Sequence, residues 1–255
     1  MDRITKAQIK FIRSLQQKKH RDETGLFIAE GRKCVEELAK GFEMVLCVEP
    51  EDHCMFSEKQ GMHVRASVKE IEQTSGLKSP QGMIAVFKKR QLPDNGRGEE
   101  QLVLCLDGIQ DPGNLGTIIR TCDWFGVHDI YCSPDTADCY NPKVVQATMG
   151  ALTRVRVHYT DLTEWLIGEN AAVYGTLLDG RNMYQMLAKE SDLPTKRSVI
   201  IMGNEGNGIS EAVRKFITHP IRIPSYPENA ETSESLNVAI ATSIVLAAFR
   251  QQKVN

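Results

Sequence analysis

The stretch QLVLCLDGIQDPGNLGTIIRTCDWFG, residues 101–126, reads as strand, turn and helix in succession. Six residues from Leu102 to Asp107 form an apolar run closed by an acid. Such a run suits a strand buried on both faces. Leu115, Ile118, Ile119 and Cys122 then recur at i, i+3, i+4 and i+7, the stripe of a helix lying on a core. Arg120 and Trp124 fall off that stripe, toward open space. Gly126 stands where a helix C-terminal glycine belongs. Gly113 and Gly116 would let a second backbone or a ligand come close. The turn is no Walker loop, because no Gly-Lys-Ser/Thr follows, and it lacks the Gly-x-Gly-x-x-Gly order.

The same alternation continues to the C-terminus. DIYCSP, RVRVHY, AVYGTLLDG, RSVIIMGNE and HPIRIPS read as further strands, separated by helical patterns at 114–125, 141–152, 161–168, 183–188 and 210–216. A last helix is expected over 235–252, with Ser235 as N-cap. Strands alternating with helices predict an α/β fold with a mostly parallel sheet covered by helices on both faces. Ligands of such sheets bind beyond the carboxyl ends of the strands. That rule selects three loops: the one after LCLDG, the one after IIMGNE, and the one after IRIPS.

Before residue 93 the pattern is a smaller α/β layer. A basic helix is expected over about 5–19, then strand GLFIAEG, helix RKCVEELAKG, strands FEMVLCVE and MHVRAS, a helix capped by Ser67 and Glu70, and strand QGMIAVFKK. RQLPDNGRGEEQ reads as a linker. The expected organisation is residues 1–92, a linker at 93–101, and a larger domain at 102–255.

Bulk composition narrows the function. The chain has 255 residues, 41% hydrophobic and 25% charged, ordinary for a globular protein with a sizeable core. No apolar run suits a membrane span, and the N-terminus has no secretory pattern, so a cytoplasmic protein is expected. Seven cysteines without a Cys-x-x-Cys pair point to free thiols. The six scattered histidines give no metal motif, and no metal is expected. Residues 1–92 carry 17 Lys and Arg against 13 Asp and Glu, and the rest 14 against 20. The basic excess gathers in Arg3, Lys6, Lys10, Arg13, Lys18, Lys19 and Arg21. With Arg32, these are the candidate phosphate contacts, and Lys88, Lys89 and Arg90 could add to them.

The three loops, in order, resemble the SpoU, or TrmH-type, family of RNA ribose 2′-O-methyltransferases of the SPOUT superfamily. The first carries Asp111, Pro112, Asn114, Gly116 and Arg120; the second Met202, Gly203, Glu205, Gly206 and Gly208; the third Ile223 and Pro224, then Ser235, Leu236, Asn237 and Val238. The third departs from the family pattern, because SYPENAETSE is long and has no glycine. GLFIAEGRKCVEELAKG is similar to the family's small α/β RNA-binding domain.

The resemblance implies a C-terminal trefoil knot, a homodimer built on the knot and the last helix, and S-adenosylmethionine bound in the knot. It implies a ribose 2′-hydroxyl as methyl acceptor, in ribosomal RNA rather than transfer RNA. The alternatives are a tRNA ribose methyltransferase and a non-catalytic RNA-binding protein of the same fold. The catalytic set implied is Arg120, Asn114, Glu205, Ser235 and Asn237. The cofactor set is Gly203, Ile223, Leu236, Leu178, Asn204 and Gly208. Arg120 is proposed as the base within the family. A guanidinium is a poor base and a good phosphate clamp, so an orienting, polarising role is expected of it. Glu205 is expected either to pair with Arg120 or to fix the second loop. A dinucleotide oxidoreductase is disfavoured, because no acid follows the glycine loop at the required distance.

Overall fold

A computed structural model describes residues 2–51, 61–80, 82–92, 101–188, 197–227 and 235–251. The linker expected at 93–101, except residue 101, and residues 228–234 of the glycine-free loop fall outside them. The chain divides into two compact units, Met1–Leu92 with Asp138–Arg154, and Pro93–Ala137 with Val155–Asn255.

The first unit holds a five-stranded mixed sheet in the order β1-β4-β3-β5-β2. Its strands are β1 (Asp2–Arg3), β2 (Leu26–Glu30), β3 (Met44–Pro50), β4 (Met62–Ala66) and β5 (Ile84–Lys88). Helices α1 (Lys6–Ser14), α2 (Lys18–Thr24), α3 (Arg32–Ala39) and α4 (Val68–Thr74) accompany it. Ile12, Leu15, Ile28, Val48, Ile71 and Val86 share one buried cluster. The single basic helix expected over 5–19 is two helices. The chain bends after Ser14 and restarts from Gln17, and this turns both Leu15 and Arg21 inward. The Ser67–Glu70 capping box forms as expected. Hydrogen bonds from the Ser67 hydroxyl and amide, with Arg3 behind them, lower the Glu70 carboxyl to about 2.

By their contacts, residues 138–154 group with this first unit, although in the sequence they lie inside the stretch 102–255 expected as one domain. The reason is contact. Asp138 pairs with buried Arg21 at 2.7 Å, and the Tyr140 ring lies 4.8 Å from Phe27.

The second unit is a six-stranded, all-parallel sheet in the order β11-β9-β10-β6-β7-β8. The chain runs β6 (Leu102–Asp107), α5 (Pro112–Trp124), β7 (Asp129–Cys132) and, within the first unit, α6 (Pro142–Thr148). It continues β8 (Arg156–Tyr159), α7 (Leu162–Ile167), β9 (Ala172–Asn182), α8 (Met183–Leu187), β10 (Ser198–Gly203), α9 (Glu211–Arg214), β11 (His219–Arg222) and α10 (Val238–Gln251). Every side chain of β6 is buried, as its apolar run requires. After β6 the chain moves outward to β7 and β8, then crosses to β9 on the other side. Strand order therefore reverses between β6 and β10, the switch point where such sheets open a crevice. No helix among the described residues is long and apolar enough to cross a membrane.

Candidate active site

At the end of β6, the Asp107 carboxylate accepts the backbone N–H of Ser210 at 2.7 Å. Gly108 takes a positive φ of 73°, and its N–H donates to Ser133 at 2.8 Å. Asp111 caps α5 by accepting the N–H of Asn114 at 2.8 Å, with Pro112 in the first turn. The turn thus delivers Asn114 to the rim of the switch point and Arg120 to the open side of α5.

The loop after β10 is folded tightly on itself. A Cβ placed on Gly203 would lie 2.3 Å from the backbone of Gly208 and of Ile209. Asn204 and Gly208 exchange N–H···O bonds at 3.0 and 2.9 Å. The Asn204 side chain accepts from the amides of Gly206 and Asn207 and donates to the Gly108 carbonyl at 2.7 Å. The polar groups of Asn204 thus shape the loop and lock it to the β6 turn, while the space beside Gly208 is open.

The three loops meet through side chains. Asn114 donates from Nδ2 to Glu205 at 2.7 Å, and its Oδ1 accepts from Asn237 at 2.9 Å. The hydrogen-bond network fixes which way each amide points. Asn237 in turn accepts the N–H groups of Ala239 and Ile240, at 3.0 and 3.3 Å. Asn237 is therefore the N-cap of α10, and the expectation that Ser235 caps it is corrected. A cap must stand two or three residues before the amides it receives, and Ser235 stands two residues too early. Ser235 is exposed. Arg120 is exposed and forms no ion pair with any described residue; of the two partners weighed for Glu205, the structure gives the loop-fixing one through Asn114.

Helix α10 runs alongside α5 in the same direction. The Thr121 and Ser243 hydroxyls meet at 3.3 Å, and Arg250 donates to the carbonyls of Phe125 and Gly126, both at 2.6 Å. Sequence reading missed Arg250, although a basic residue in a last turn is a known partner for helix carbonyls. It also missed the Asp107–Ser210 bond, which joins residues 103 apart.

The cofactor candidates sit along the same edge of the sheet. Gly175 pairs with Ile201 and with Pro220, so β9 lies between β10 and β11. Between Gly175 and Arg181 the β9 strand bulges away from β11, and the excursion carries Leu178, 74% exposed. Ile223 follows β11 half-buried, and Leu236 precedes α10 at 49% exposure.

Of the phosphate candidates, Lys6, Lys10 and Arg13 are exposed on one face of α1. Lys18 is exposed, as is Lys19, which stands 3.9 Å from Glu23. Arg3 faces Glu51 and Glu70, and Arg32 pairs with Glu36 at 2.6 Å. Arg21 is a correction. It is 1% exposed, and its guanidinium serves Asp138 and the carbonyls of Leu15 and Gln16. A buried, fully occupied arginine cannot reach a phosphate. Lys88 and Lys89 are paired with Glu43 and Asp22, and Arg90 donates to the Thr153 carbonyl.

Comparison with known proteins gives the arrangement a family. Residues 101–247 match the family model described as SpoU rRNA Methylase family, and residues 6–85 match an MRM3-like substrate binding domain. The chain is 30% identical over 250 residues to the 23S rRNA (guanosine(2553)-2′-O)-methyltransferase RlmP of Bacillus subtilis, covering 95% of this chain and 96% of that one. Among solved structures it is similar to a TrmH-family structure from Porphyromonas gingivalis, with 35% identity, a TM-score of 0.86 and 98% and 99% of the two chains covered. It is also similar to the AdoMet-bound rRNA methyltransferase from Sinorhizobium meliloti, with 31% identity, a TM-score of 0.83 and 100% and 98% covered. Three strand-end loops converging at the switch point of a parallel sheet, within a chain matched along nearly its whole length, place this protein in the SpoU rRNA methylase family.

Proposed function

We propose that this protein methylates a ribose 2′-hydroxyl of ribosomal RNA, with S-adenosylmethionine as donor. The observation that carries the reading is the Glu205–Asn114–Asn237 chain of hydrogen bonds, which ties the three motif loops into one site. The site suits the donor. Its rim offers the apolar side chains of Leu178 and Leu236 to solvent beside half-buried Ile223, a shelf fit for an adenosine. Gly203 and the loop it closes supply a rigid backbone wall, with open space beside Gly208.

S-adenosylmethionine, when bound, supplies a methyl carbon activated by a sulfonium. The protein's own residues do the positioning. Arg120 clamps the phosphate beside the target nucleotide through paired N–H donors and polarises the 2′ oxygen. Asn114, fixed in orientation by Glu205 and Asn237, holds the turn from which Arg120 projects. Exposed Ser235 is free to reach the nucleotide. The exposed face Lys6, Lys10 and Arg13, with Lys18, Lys19, Arg3 and Arg32 around it, supplies phosphate contacts. Glu51 beside Arg3, Glu23 beside Lys19 and Glu36 beside Arg32 are solvent-exposed, and such pairs yield readily to phosphate.

A homodimer through α10 and a knotted C-terminal chain belong to the same reading. Leu236, Ile240 at 55% exposure and Ala247 leave an apolar strip uncovered in the single chain. Ile240→Asp is expected to shift sedimentation from dimer to monomer; an unchanged dimer would remove α10 from the interface. A cytoplasmic location suits the six described cysteines, all buried and none in a disulfide.

The decisive experiment supplies unmodified 23S rRNA, 16S rRNA and tRNA with radiolabelled donor. Ribosomal RNA is expected to gain a 2′-O-methyl group, and Arg120→Ala to abolish the gain while adenosylhomocysteine still binds. Label entering only tRNA, or no RNA, would overturn the reading.

A further inference from the structure

We infer that Cys47, Glu49 and His63 form a zinc-binding site in the first unit, tying β3 to β4. The inference is independent of the methyl-transfer reading, because it uses no residue of the three motif loops. Cys47 and Glu49 stand two apart on β3, and side chains two apart along a strand share a face. His63 lies opposite Cys47 in the parallel pairing of β3 with β4. All three therefore project from one face of the sheet. Leu46, Val48 and Val64 alternate with them along the same strands, turn to the other face and join the apolar cluster there. A sulfur, a carboxylate oxygen and an imidazole nitrogen of the trio lie within 4.8 Å of one another.

The chemistry of the trio selects the ion. Cys47 and Glu49 are each 0% exposed, and the His63 side chain is 11% exposed. His63 Nδ1 lies 2.7 Å from Glu49 Oε1. A buried carboxylate needs a matching positive charge. Arg65, opposite Glu49 in the same pairing, is exposed, and its charge is screened by water. Zinc(II) with one thiolate, one carboxylate and one neutral imidazole makes a set without net charge. Sulfur, nitrogen and oxygen are its ordinary ligands, whereas magnesium and calcium take oxygen. Tetrahedral zinc sets its ligand atoms about 3.4–3.6 Å apart, so small side-chain rotations close the trio around an ion, and Glu49 and His63 part by under about 1 Å. Ala85, opposite Cys47 on β5, brings only a methyl group beside the thiol. The partly exposed edge of His63 is where the ion enters and where water fills the fourth position. On binding, the Cys47 S–H bond breaks and a Zn–S bond forms. The proton passes to solvent, as does any proton on the ligating ring nitrogen. No short motif announces such a site, because strand register, and not spacing along one helix or loop, brings His63 to Cys47.

Cobalt(II) tests this in the intact chain, stripped of metal by a chelator. A cobalt–thiolate bond gives a near-ultraviolet charge-transfer band, and tetrahedral cobalt gives visible bands. A single cobalt per chain should produce both, and zinc should bleach them. Zinc at about a hundredfold its dissociation constant should raise the melting temperature of the wild type by about 5 °C or more. Cys47→Ser should abolish the charge-transfer band, and Cys139→Ser should leave it unchanged. His63→Ala and Glu49→Gln should each weaken zinc binding by about 100-fold or more, beyond the loss of an outer-shell partner. Wild-type protein that shows neither the cobalt bands nor the zinc-dependent rise in melting temperature would overturn the proposal, and this result stands even where a variant fails to fold. A charge-transfer band that survives in Cys47→Ser would overturn it as well.

Discussion

Gly203 shows how little freedom a single residue has at this site. Its missing side chain is required by backbone: a Cβ would meet Gly208 and Ile209 at 2.3 Å, and backbone cannot step aside as a flexible side-chain end can. Gly203→Ala should therefore open the loop, costing about 2 kcal/mol or more of stability. Adenosylhomocysteine affinity, followed by titration calorimetry, should fall at least about tenfold, an estimate equal to roughly 1.4 kcal/mol of lost complementarity. Unchanged affinity would mean that the loop does not form the donor's wall. Asn114 is constrained in a different way. Both ends of its amide are engaged, so Asp at this position would lose the donor to Glu205 and set two carboxylates face to face.

At the scale of elements, pairs of strands are tied by charge as well as by their ladders. Asp129 on β7 holds Arg156 and His158 on β8, with His158 at 2.9 Å. Burial alone would raise the Asp129 carboxyl. Hydrogen bonds from His158 and Arg156, and the Arg156 charge, outweigh burial and hold it well below the usual carboxylate range. A depressed carboxyl stabilises the fold above its unfolded value, near pH 4, and loses that contribution as pH falls through the folded value. Asp129→Asn should therefore cost about 2 kcal/mol at pH 7, the scale of a hydrogen bond to a charged group. In urea denaturation the gap between variant and wild type should narrow steadily below about pH 4. A gap independent of pH would refute the charged pairing.

At the scale of the molecule, the first unit is assembled from chain segments far apart in sequence. Arg21 and Asp138 close it from within, and Tyr140 completes the Phe27 and Phe42 ring cluster. Arg21→Ala should destabilise the protein by about 3–5 kcal/mol, because it strands a largely buried carboxylate. The variant that remains folded should keep the wild-type salt dependence of RNA binding, since Arg21 meets no phosphate. A shallower salt slope would return Arg21 to the RNA surface. For the same reason residues 1–92 expressed alone should melt below the intact protein.

The amino-acid sequence alone determined the parallel α/β order, nearly every strand of the second unit, and which three loops matter. Apolar runs, helical stripes and glycine positions are local signals, and each element's identity depends on residues close along the chain. The sequence also placed Arg120 and Trp124 on the open side of α5, because helical period decides that by itself. Only the tertiary structure decided that Asn237 rather than Ser235 caps α10, that Asn204 is consumed by its own loop, and that Arg21 is buried. It alone drew residues 138–154 into the first unit. Those outcomes depend on which distant group supplies the last hydrogen bond or fills the last gap, as Asp138 does for Arg21 across 117 residues of chain. Periodicity carries no information about such pairings, because they are fixed by where the folded backbone brings side chains together.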